Sequence, residues 1–250
     1  MGQSFRLTDC VAATLVVSLL GFVGVTSFQG AAAQAARLTD VDHLRVCMQD
    51  FAVWSADHDD SMPNMGLPGD PASAAAYETE NVPSQQCMYF SQTRTWPQLL
   101  GTHLGVYKRE WHSTLGYDDL DGQINMAKYG DEQTRTRYLP TLYRYSKTML
   151  TSPGMWPGAP GEQILNVTQQ AQHYAVVRRA QIAFPDRKGV LLHRSLIAKP
   201  ERWQVAFADG SASDRSPDDA FPAAVLATSR TAERGVPVLE TVNGYLGIDF

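Results

Sequence analysis

The chain has 250 residues, of which 44% are hydrophobic and 19% charged, and a formal charge of −5. That composition is enough for one sizeable hydrophobic core. The acidic balance and the lack of any Lys/Arg run exclude nucleic acid as a partner, because duplex binding is built on phosphate neutralisation by clustered cations. Small molecules and proteins remain.

The first element is an apolar run, FRLTDCVAATLVVSLLGFVGVTSF over residues 5–28, headed by the carboxylate of Asp9. From Cys10 to Phe28 no residue is charged. As a helix that stretch is about 28 Å long, against a bilayer hydrocarbon core of about 30 Å. The run predicts a transmembrane helix over 5–28. Three readings of it stay open. One is a cleaved secretory signal ending at the small-x-small site Ala33-Gln34-Ala35. The second is an uncleaved signal anchor. The third gives Asp9 a role of its own and rests on the residues around it, Ser4 to Asp9, taken up below.

After Phe28 the chain reads QGAAAQAARLTD, rich in Ala and free of Pro, so the helix continues past the membrane. Leu38, Val41, Leu44, Met48 and Phe51 recur at spacings that make one apolar face, with Arg37, Asp40, Asp42, Arg45, Gln49 and Asp50 on the others. This predicts an amphipathic continuation over 29–58. Asp57-His58-Asp59-Asp60 and then Pro63, Gly66 and Pro68 close it.

The head, 59–250, reads as α+β. Residues 66–113 carry only the short apolar pieces Gln98–Leu100 and Leu104–Tyr107 and are expected to be irregular. Tyr138, Leu142, Tyr145 and Met149 sit at helical spacing within 133–150, and Pro140 limits that helix upstream. Strands are expected at His173–Phe184, Gly189–His193 and Trp203–Phe207. Asp209-Gly210 between VAFA and SAS is a hairpin turn signal, so the sheet should be mainly antiparallel.

Few constellations carry chemistry. With Gly122 as the turn glycine of an EF-hand, the first ligand position would be Tyr117 and the bidentate acid Lys128, so the loop fails. A looser calcium site through Asp119 and Asp121 is the one metal candidate. Asp57 to Asp60 read as helix-end caps, and the six histidines show no ligand spacing. No G-x-S-x-G, redox cysteine pair or Gly-rich phosphate loop occurs, so no catalytic residue is assigned and a non-enzymatic protein is expected. In an oxidising compartment Cys47 and Cys87 are disulfide candidates; otherwise they are small buried thiols. Trp96, Trp111, Trp156, Tyr138, Tyr143 and Tyr145 read as core or as a sugar- or peptide-binding surface.

Ser4-Phe5-Arg6-Leu7-Thr8-Asp9 followed by the apolar run resembles the start of type IV pilins and type II secretion pseudopilins, whose motif is Gly, Phe, Thr, Leu, any residue, Glu. Ser4 stands for the Gly and Asp9 for the Glu. The resemblance implies a short leader, 1–4, removed by a prepilin peptidase between Ser4 and Phe5, and methylation of the Phe5 amine. It also implies that Asp9 pairs with the Phe5 amine of a neighbouring subunit. Residues 37–64 resemble a large pseudopilin-like family of planctomycete-like bacteria, in which a helix ends in Tyr-x-x-Asp-x-Asp-Gly-x-x-Pro. Trp54, Asp57, Asp59 and Pro63 match it, and Asp60 replaces the Gly. RWQVAFADGSASDR and the closing GYLGIDF resemble the same family's C-terminal hairpin and tail; His193, sixteen residues before Asp209, is a loose match to the family's histidine.

The fold implied is pilin-like, a long N-terminal helix packed on a mainly antiparallel sheet, and calcium is a ligand in some major pseudopilins. The implied partners are other pilin-like subunits, the prepilin peptidase, inner-membrane proteins of a secretion machine, and the membrane itself. The implied location is the bacterial inner membrane, single-pass, with the head in the periplasm or outside the cell. The alternative is an exported or anchored binding protein that uses the segment for export alone.

Overall fold

A computed structural model of the chain describes residues 7–64, 66–67, 92–112, 141–156, 159–160, 163–164, 171–193, 202–226 and 235–250. The chain divides into two compact units, Met1–Thr39 and Asp40–Phe250.

The first unit holds the N-terminal part of helix α1, which runs Leu7–Asp57. Before Ser27 the side chains described are Leu15, Ser18, Phe22, Val23 and Val25. Leu15 is 62% exposed, Phe22 71%, Phe28 76% and Leu38 60%. At about 100° per residue these side chains fall around the helix instead of along one stripe. Among the described residues no helix is long and apolar enough to cross a membrane. The backbone of the expected span over 5–28 is helical from Leu7, and most side chains of Cys10–Phe28 lie outside the described residues.

In the second unit α1 buries Val41, Leu44, Cys47, Met48, Phe51 and Trp54 against the head. The expected apolar face is therefore present from Val41 to Phe51, but Leu38 is exposed and does not join it. Asp40 and Asp50, expected on the polar faces, are buried too. Each has found partners that offset its desolvation, as described below. The helix stops at Asp57, where the DHDD turn begins. There Ser55 Oγ donates to the carbonyls of Phe51 and Ser61 at 2.9 and 2.8 Å, and the Asp60 N–H donates to Ser55 O at 2.8 Å.

The expectation of irregular chain over 66–113 is corrected by helix α2, Gln92–Leu104, which carries Pro97 inside it. Pro97 removes one helical hydrogen bond, and tertiary packing outweighs that loss. Trp96 and Leu100, four apart on one face, are both buried in the main core. The Trp96 ring meets Phe51 edge-on at 5.3 Å, and its Nε1–H donates to Tyr143 O at 3.2 Å.

The strands are β1 Tyr143–Tyr145, β2 Gln163–Ile164, β3 Gly189–His193, β4 Trp203–Phe207, β5 Ala212–Arg215 and β6 Val225–Leu226. Four form one sheet in the order β1-β3-β4-β5, antiparallel throughout, while β2 and β6 make a separate parallel pair. The head is thus α+β. Two expectations fail here. Tyr145 and Met149 lie on strand β1 and on a following 3-10 turn, Lys147–Leu150, not on a helix. Pairing of β1 with β3, Tyr143 opposite His193, overrides the helical spacing. His173–Phe184 is not a strand either. It starts at the end of one 3-10 turn, Ala171–His173, and holds another, Arg179–Gln181; its ladder pairing is limited to isolated bridges, Tyr174 to Thr151 and Arg178 to Ser61, while Tyr174, Val177 and Ile182 pack into the main core.

The hairpin at Asp209-Gly210 forms as expected, joining β4 to β5 with Gly210 at φ 94°. All five residues of β3 and all five of β4 are buried. On β4, Trp203, Val205 and Phe207 pack with Val236, Val238, Leu239 and Phe250, while Ala206 belongs to the cluster under α1. The sheet is covered on both faces, by α1 and α2 on one and by the C-terminal segment on the other.

Candidate functional site

Of the residues singled out from the sequence, Ser4, Phe5, Cys87, Asp119 and Asp121 lie outside the described residues, and so do processing at Ser4-Phe5 and the calcium site. Asp9 has helical backbone within α1, and its side chain is outside the description. Cys47 is a buried free thiol whose Sγ–H donates to Glu110 O at 3.6 Å. Burial raises its pKa well above the ordinary value, with Asp50 adding to the rise, so the thiol is held protonated. Among the described residues no group of three or more His, Cys, Asp or Glu side chains is arranged to hold a metal ion.

The structure instead assembles polar centres that the sequence left scattered. The first begins at Asp40 of α1. Its Oδ1 accepts the Tyr143 hydroxyl at 3.1 Å, and its Oδ2 lies 3.5 Å from His193 Nε2. Tyr143 and His193 face each other across β1 and β3 with their rings edge-on at 5.5 Å. Asp40, Tyr143 and His193 each have 0% exposure. Burial, and then the Asp40 charge, push the Tyr143 pKa far above its usual value. Burial lowers that of His193, against the opposing pull of Asp40. None of the three side chains meets solvent, and the centre fixes α1 to the sheet.

A second centre holds the next turns of α1. Asp50 accepts Lys108 Nζ at 2.6 Å and the Trp111 Nε1–H at 2.7 Å. At the end of the helix the His58 ring stacks on the Trp54 indole at 3.7 Å, and His103 of α2 meets both rings edge-on. The His103 ring lies 3.2 Å from Asp57 Oδ2. Asp40, Asp50 and Asp57 thus tie α1 at three levels to β1 and β3, to the 108–111 segment, and to α2.

Two more ion pairs lie under the C-terminal segment. Lys147 Nζ is 2.7 Å from Glu240 Oε1, and Glu240 Oε2 accepts the Gly235 N–H at 2.7 Å. Lys188 Nζ is 3.0 Å from Asp249 Oδ2. Sequence reading missed all of these, yet faint signals existed. Lys188 directly precedes the apolar run GVLLH, and Asp249 stands between Ile248 and Phe250, both positions where a lone charge needs a buried partner. No protein-family model, curated protein or solved structure matches this chain.

Proposed function

We infer that the protein is a non-enzymatic, pilin-like subunit of pseudopilin type, held in a bacterial inner membrane by its N-terminal helix and carrying its α+β head on the far side. The observation that carries this reading is the contrast along α1. Its N-terminal part bears exposed Leu15, Phe22, Val23, Val25 and Phe28, each 52 to 76% exposed, while from Asp40 onward it is fastened into the head. Exposed apolar side chains on all sides of a helix want an apolar medium, either lipid or other helices. Ala12, Ala13, Ser18, Gly21 and Gly24 supply the small residues that let membrane helices approach closely. In this reading subunits associate through residues 5–30, and Asp9 pairs with the freed Phe5 amine of a neighbour. An uncompensated carboxylate there would cost several kcal/mol in hydrocarbon.

The test is the N-terminal sequence of the mature protein from its native membrane. A start at Phe5 supports the reading. A start at Ala36 overturns it in favour of an exported head, and an intact Met1 leaves only a plain anchor. Asp9→Ala should abolish incorporation into assemblies isolated by cross-linking while the head stays folded, and normal incorporation would remove Asp9 from its register role.

A further inference from the structure

The pair at Lys188 and Asp249 has more built around it than an ion pair requires. Both side chains are sealed from solvent, at 0% and 1% exposure. The Asp249 carboxylate accepts the Gly189 N–H on Oδ2 and the Val238 N–H on Oδ1, each at 2.9 Å. Thr241 Oγ1 sits between the partners, accepting from Lys188 Nζ and donating to Asp249 Oδ1 at 2.5 Å. A hydroxyl therefore links the amine to the carboxylate oxygen that is not its direct ion-pair partner. On the Gly189 side the packing is apolar and tight: a Cβ on Gly189 would run into the side chains of Val238 and Val205.

We propose that Lys188 and Asp249 condense into an intramolecular amide, with Thr241 as the proton relay. A proton leaves Lys188 Nζ for Thr241 Oγ1 while the Thr241 proton passes to Asp249 Oδ1, which turns the ion pair into a neutral amine and a carboxylic acid. The amine lone pair then attacks Cγ, and the Nζ–Cγ bond forms. The negative charge that develops on Oδ2 faces the Gly189 N–H, a donor already in place. A second proton follows the same relay, the Cγ–Oδ1 bond breaks, and Oδ1 departs as water. The product keeps one N–H on Nζ, the step is redox-neutral, and no co-reactant is consumed.

Burial favours this path over the ion pair for two reasons. Charges without water are costly, so the neutral amine and acid are more accessible here than at a surface. Burial also pulls the Lys188 amine down from its ordinary 10.5, although Asp249 works in the other direction. Contact at hydrogen-bond distance supplies the proximity that a dilute amine and acid lack. The proposal concerns the head alone and does not depend on the pilin-like reading.

Intact-mass measurement of the purified full chain, followed by protease digestion and fragment sequencing, tests it. The expected result is a chain lighter by one water than its N-terminus and sequence dictate. A branched peptide should join the Lys188 segment to the Asp249 segment. Lys188→Arg, which keeps the charge but not the ammonium's geometry, should return the mass to the full value, and Thr241→Val should leave most chains unlinked. Native protein at full mass with separate Lys188 and Asp249 peptides overturns the proposal, as does a lost water mapped to any other pair. The native measurement needs no variant to fold.

Discussion

At Asp60 the backbone adopts an angle that ordinarily favours glycine. Asp59 and Asp60 are both left-handed, at φ 53° and 61°, a conformation that glycine adopts without a Cβ penalty. Asp60 offsets that penalty through its side chain, since Oδ2 accepts the Ala180 N–H at 3.0 Å; its backbone carbonyl also accepts the Arg179 N–H, at 2.8 Å. Asp60→Gly should therefore leave stability within about 0.5 kcal/mol, strain relief of about 1 kcal/mol offsetting one lost hydrogen bond. Asp60→Ala loses the bond and keeps the strain, and should cost about 1 to 2 kcal/mol in chemical denaturation. His193 makes a second case. Because burial lowers its pKa below the ordinary 6.5, the unfolded chain binds a proton first as pH falls. The stability that depends on its neutral form is complete above 6.5 and is lost as pH drops through the folded-state pKa. The thermal midpoint should fall from pH 7 to about 5, with a shallower fall in His193→Gln. Equal slopes in the two proteins would remove His193 as the source.

At the scale of elements, what the sequence made legible follows the range of the interactions involved. Strands β3 and β4 and the Asp209-Gly210 turn were readable because Val-Leu-Leu, alternating Trp203-Val205-Phe207 and Asp-Gly are local signals. The extent of α1 was readable from Ala-rich composition and periodicity. Helix α2 was not, because Pro97 argues against it locally and only burial of Trp96 and Leu100 sustains it. Strand β1 was misread for the same reason, as its partner strand lies more than forty residues away. The polar centres were barely legible: Asp40 and Asp50 look like surface residues until their partners arrive from distant segments, and the apolar neighbours of Asp249 do not say which cation it meets. Close packing of β3 against the C-terminal segment gives an element-scale prediction. Gly189→Ala would bring a Cβ to 2.7 Å from Val238 Cγ2 and 3.1 Å from Val205 Cγ1. Overpacking of this kind should cost about 1 to 3 kcal/mol, read as a lower denaturation midpoint at unchanged slope.

At the scale of the molecule, the C-terminal segment is the second cover of the sheet. Val236, Val238, Leu239 and Phe250 close one face of β4, and Asp249 satisfies the buried charge beside β3. A chain ending before Thr241 should therefore lack cooperative unfolding altogether, seen as loss of near-ultraviolet dichroism with Lys188 left uncompensated; a cooperative transition in that variant would show the cover to be dispensable. The separation of Lys188 from Asp249 has a further consequence in time. Asp249 follows Lys188 by 61 positions, so during synthesis β3 is complete long before its counter-charge can reach the lysine beside it. Until residue 249 has been made, burial of that lysine is unfavourable and the sheet's second face stays open. The head therefore reaches its compact state only after its closing segment has left the ribosome, however early β3 is made.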